Sequence, residues 1–62
     1  MTYQAIMTKI GANHTETGPE RDTLADAMMD LELWPGAEYP IRDYDRFVYR
    51  IEADYMIPVY TR

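Results

Sequence analysis

Residues 19–33, PERDTLADAMMDLEL, decide how this chain folds, because they form its one long segment with a helical apolar repeat. Leu24, Ala27, Met28 and Leu31 fall on one side of a helix and predict its buried stripe. Asp22, Asp26 and Asp30 fall on the other. Thr17 with Glu20 three residues on matches a capping box, and Pro19 suits a first turn that needs no donor. Glu20 and Asp22 favour the positive end of the helix dipole. Trp34-Pro35-Gly36 ends the pattern, since Pro35 cannot continue a helix and Gly36 reverses the chain. A helix is therefore predicted from about Pro19 to Leu33.

The flanking segments predict strands. Tyr3 to Ile10 mixes Tyr, Ile, Met and Thr with few turn residues, and Gly11 to Gly18 is a Gly/Asn/Thr-rich loop. Ala37 to Asp45 is a polar connection. From Arg46 the period becomes two: Phe47, Tyr49, Ile51 and Ala53 are predicted to face the core, and Arg46, Val48, Arg50 and Glu52 to face outward. Ala53-Asp54 makes the hairpin turn, and Pro58 places the last strand, Tyr55 to Thr61, at an edge. The prediction is one small α+β domain over residues 1–62, a single helix packed on a three-stranded antiparallel sheet in the order strand-helix-strand-strand.

Composition narrows the function classes. A chain of 62 residues buries only about 60% of its unfolded surface, so its margin of stability is thin. With no Cys, disulfides and thiolate metal sites are excluded, and the single His14 cannot hold zinc alone. Ser is absent as well, which removes the commonest hydroxyl nucleophile. Asp43-x-Asp45 fails as a calcium loop, because the sixth and twelfth positions hold Val48 and Asp54 in place of Gly and Glu. Paired carboxylates on an exposed helix keep ordinary acidity, and so small a domain has little room for a substrate pocket. No catalytic residue, cofactor or metal is expected. Residues 1–9 lack the basic start and apolar core of a signal peptide, and no run is long enough to span a bilayer, so a cytoplasmic location is expected.

The charge pattern carries the functional expectation. Net charge is −5, which argues against direct contact with nucleic acid or anionic lipid and favours a basic partner. Seven of the eleven acids lie between Glu16 and Glu38, with Arg21 the one base among them. On a helix, Asp22, Asp26 and Asp30 would stand about 6 Å apart along the axis, a spacing that weakens the helix unless something cationic docks there. Such a row imitates the phosphates of a nucleic-acid strand. Glu32, Glu38, Asp43 and Asp45 extend it, Tyr39 and Tyr44 add interface aromatics, and Met29 and Leu33 are apolar anchors. The competing expectation is a small structural or regulatory module that self-associates through its edge strand or apolar patch and whose acids serve solubility alone; the oligomeric state expected of the chain is monomer or weak homodimer.

In size, acidity, absence of Cys and element order, with the Asp22/Asp26/Asp30 row, Glu32, Glu38 and the Arg46–Thr61 hairpin, the chain resembles the small phage-encoded anti-CRISPR proteins that act on type I surveillance complexes. The resemblance implies a non-enzymatic inhibitor, encoded by a phage or mobile element and acting in the bacterial cytoplasm. It would occupy the basic DNA-entry surface of a CRISPR effector (Cascade) subunit and keep target DNA from docking.

Overall fold

Thr23 sets where the helix begins. Its backbone is extended and its hydroxyl accepts a hydrogen bond from the Asp26 amide at 3.2 Å, satisfying a donor that the first turn leaves without a partner. In the computed structural model, which describes residues 1–34 and 36–62, α1 therefore spans Leu24–Glu32. Leu33 closes it, its N–H bonded to the Met29 carbonyl at 3.0 Å. The expected start at Pro19, with a Thr17/Glu20 cap, is displaced by five residues to Leu24 because the preceding segment is a strand. Pro35, one of the expected stop residues, lies outside the described residues.

Among the described residues four strands form one antiparallel sheet: β1 (Thr2–Lys9), β2 (Thr15–Arg21), β3 (Tyr44–Ile51) and β4 (Met56–Thr61), in the order β2-β1-β3-β4. The fold is α+β, but with four strands rather than the predicted three. The additional strand is β2, whose residues up to Gly18 read as loop in the sequence and whose Pro19 onward read as the start of the helix. At an edge a strand needs partners on one side only, so a missing donor is tolerated there. Its register against β1 steps between Gln4 and Ile6, opposite this Gly-Pro pair. Gly18 answers to packing: a Cβ there would lie 3.3 Å from the Trp34 ring and 3.6 Å from the Ala5 Cβ.

Helix and sheet meet over a small core of Ala5, Met7, Ala27, Leu31, Tyr44 and Val48. Leu24 and Met28 pack half-buried against it, so the predicted apolar stripe of the helix is the one used. On β3 the predicted parity is reversed. Tyr44 and Val48 face the helix, with Arg46 and Arg50 on the same side, whereas Phe47, Tyr49 and Ile51 face away. Size fits this choice: Val48 pairs directly with Ala5 and shares the close-packed core with Ala27, three side chains smaller than Phe47. Arg46 and Arg50 are therefore not outward-facing. Both are half-buried, and the Nε of each is shielded from water without a hydrogen bond. The Arg50 Nε nonetheless lies 3.0 Å from the Glu52 carboxylate, an ion pair.

The remaining connections follow the sequence. The Glu52 N–H donates to the Tyr55 carbonyl at 2.9 Å across Ala53-Asp54, closing the expected hairpin. Strand β4 is an edge strand, as Pro58 requires. A single 3-10 turn, Ile41–Asp43, leads into β3. No described helix is long and apolar enough to cross a membrane.

Candidate interaction surface

The strand-then-helix turn at Arg21 determines what becomes of the aspartate row. Because β2 runs beside α1, the Arg21 side chain reaches Asp30 with two hydrogen bonds, Nε to Oδ2 at 2.9 Å and Nη2 to Oδ1 at 3.0 Å. The Asp30 carboxylate, by that bond first and by its charge second, raises the Arg21 pKa. Glu32 is likewise ion-paired, with Arg62. Asp22 precedes the cap and lies outside the helix, and Asp26 is exposed in the first turn. The three aspartates thus do not form one uncompensated helical ladder, since one is off the helix and one is neutralised by an arginine from the sheet.

The other expected contact residues gather at the opposite end of the sheet, around a carboxylate that the sequence reading left in a loop. Glu16, on β2, accepts from the Trp34 indole Nε1 at 3.0 Å, from the Glu38 amide at 3.3 Å and from the Tyr44 hydroxyl. His14 Nε2 lies 2.9 Å from the same carboxylate and 3.6 Å from that of Glu38. These donors, Tyr44 first and His14 second, hold the Glu16 carboxyl down at about 2. Burial, then the bond to Glu16, raises the Tyr44 phenol above its ordinary value. A carboxylate held this low is an acceptor and not a proton donor near neutral pH. Its chemistry is to tie β2, the end of α1, the connection and β3 together.

Tyr44 is only 4% exposed, so the fold turns it inward, and its hydroxyl also accepts the Tyr39 amide at 3.2 Å. Tyr39 itself is 38% exposed. Its ring meets His14 edge-on at 5.2 Å, and the Lys9 ammonium lies 5.2 Å from its centroid. Glu38 is exposed beside it, and Asp43 is half-buried with its carbonyl accepting the Ile10 amide at 2.8 Å. Asp45 is exposed on β3, opposite Thr8. The structure therefore brings Glu38, Tyr39, Asp43 and Tyr44 together and leaves Asp22 and Asp26 at the far end of β2. Glu16, His14 and Trp34 are the members that sequence reasoning missed. The alternation His14-x-Glu16-x-Gly18 was the available signal.

Two shallow depressions flank the helix. One, of about 450 Å3, lies between β2 and the helix end and is bordered by Trp34, Leu33 and the Arg21–Asp30 pair. The other, of about 280 Å3, is more apolar and holds Met28, Met29 and Tyr60. Leu33 and Met29 are 66% and 55% exposed, and each lines a different depression. Among the described residues no group of three or more His, Asp or Glu could hold a metal ion. Comparison with protein-family models, with curated proteins and with solved structures finds no match.

Proposed function

We propose that the chain is a non-catalytic binding domain whose acidic excess docks on a basic protein surface that otherwise receives nucleic acid. The resemblance of its sequence nominates a CRISPR effector subunit as that partner, with block of target DNA as the outcome. One observation carries the reading: among the described residues Asp22, Asp26, Asp43, Asp45 and Asp54 take part in no ion pair, while of the six bases Arg21, Arg50 and Arg62 are engaged and Lys9, Arg42 and Arg46 are not. The charge excess survives folding. Asp22 and Asp26 lie toward the Arg21 end of β2, and Glu38, Asp43 and Asp45 lie toward the other end of the sheet, where Lys9 also sits over Tyr39. Asp30 and Glu32 contribute less, because each already faces an arginine.

Such a surface speeds association with a basic groove and loses its hold as salt rises. The test is pull-down against a purified type I effector, then competition with target duplex at low and high salt. Capture that salt and duplex both reverse supports the proposal. Absence of competition at low salt removes it.

A further inference from the structure

The β3 parity has a second result: among the described residues, no helix lies over one whole face of the sheet. Ile6, Phe47, Tyr49, Ile51 and Met56 lie on that face, on three adjacent strands, with the Phe47 and Tyr49 rings 6.2 Å apart. Threonines of β1, β2 and β4 frame the band. We infer that this open face is a self-association surface, on which a second copy of the chain packs sheet against sheet about a two-fold axis. The inference does not rest on the acidic excess.

Charge selects the occupant. Two copies at −5 each repel wherever their acids meet. Among the described residues the ionic groups on the open face are Glu20 and Asp45, both toward its margins, and Glu20 already accepts the Thr2 hydroxyl at 2.6 Å. This is the face on which like-charged copies can meet without stacking carboxylates. A basic partner would find those two marginal carboxylates and, between them, an apolar band that offers it no charge.

Geometry excludes the alternative mode of pairing and supplies the area. Edge-to-edge continuation of the sheet needs an unbroken row of donors, and both edge strands carry a proline, Pro19 in β2 and Pro58 in β4. The molecule measures 30 × 21 × 16 Å between Cα atoms, so its broadest face spans at most roughly 600 Å2 before side-chain relief is added, the same order as the ~800 Å2 per partner of a standard interface. A second apolar layer about 10 Å away would also bury what one helix leaves uncovered in a chain with so few fully buried side chains.

Sedimentation equilibrium from about 1 μM to about 1 mM, a span that covers weak and moderate dimers, tests the inference. The mass should rise with concentration toward twice the 7.3 kDa of one chain. Phe47→Asp places a carboxylate at the centre of the band and should weaken dimerisation at least about a hundredfold, with the circular dichroism spectrum unchanged. The double variant Asp22→Asn/Asp26→Asn should dimerise as the parent does. A parent that stays at one chain mass at about 1 mM overturns the inference, as does a folded Phe47→Asp variant that dimerises normally. If that variant fails to fold, isotope-filtered NMR on the parent decides. Contacts between the Phe47 and Tyr49 rings of two copies support the two-fold packing, and contacts confined to β2 or β4 amides overturn it. Failure of effector capture with dimerisation intact would count against the proposed function alone.

Discussion

Substituting Val48 with Asp tests the side of β3 on which the core lies. Val48 is fully buried between Ala5 and the helix, so an aspartate there reaches no water. The least costly way to bury it is as the neutral acid. From an ordinary value of about 3.9, protonation at pH 7 costs about 4 kcal/mol at 1.36 kcal/mol per pKa unit. Loss of the buried isopropyl group adds about 1.5–3 kcal/mol. A chain of 62 residues has a total stability of about 3–9 kcal/mol, so Val48→Asp should be largely unfolded at pH 7. At pH 5 the protonation cost falls to about 1.5 kcal/mol, and part of the folded population should return. Phe47→Asp, one residue away on the open face, keeps its carboxylate in water and should still melt cooperatively. The assay is far-ultraviolet circular dichroism with thermal melts at about 5 μM, dilute enough that a weak self-association does not contribute. A Phe47→Asp chain that unfolds while Val48→Asp melts normally would refute the assigned parity and the core with it.

Two further perturbations probe the packing around Trp34. Glu16 titrates lower in the folded chain than its ordinary 4.5, so its contribution is complete above that value and lost as pH falls toward 2. Glu16→Gln should lower Tm at neutral pH and flatten the decline in Tm between pH 4.5 and 2, and equal slopes for both proteins in that window would contradict the network. Gly18→Val forces a branched side chain against the Trp34 ring and should cost about 1–3 kcal/mol by overpacking, read from urea unfolding with the lone tryptophan as probe. An unchanged midpoint would show that Trp34 does not rest on Gly18.

The helix was legible because its signal is local: the spacing of Leu24, Ala27, Met28 and Leu31 marks the buried side whatever else the chain does. The Ala53-Asp54 turn and the edge position of Pro58 are local in the same sense. Strand β2 was hidden, since Thr15–Arg21 holds both Gly18 and Pro19, and only its place at an edge beside β1 makes them acceptable. On β3 both parities offered apolar residues, and Phe47, Tyr49 and Ile51 outweigh Tyr44 and Val48 in bulk. The observed parity fits the small side chains of Ala5, Val48 and Ala27 meeting in one core, which no single strand encodes. The aspartate row failed for a similar reason. Arg21 and Asp30 are nine residues apart, and only the antiparallel course of strand and helix brings them into contact. Glu16 gathers groups from 28 residues downstream, so its role depends on the whole chain being folded.

The order β2-β1-β3-β4 sets how the chain acquires its structure as it is made. The central pair joins the earliest residues to late ones, with Thr2 opposite Ile51 and Lys9 opposite Tyr44. Until β3 has left the ribosome, the residues before it supply one hairpin and one short helix, neither of which is stable alone in water. Closing so long a loop must precede any gain from the contacts it allows, which places folding among the slower small domains. A peptide bond cut between Gly36 and Ile41 would divide the molecule into two pieces, each with only one strand of the middle pair. Neither piece would hold shape by itself, and mixed together they would have reason to recombine.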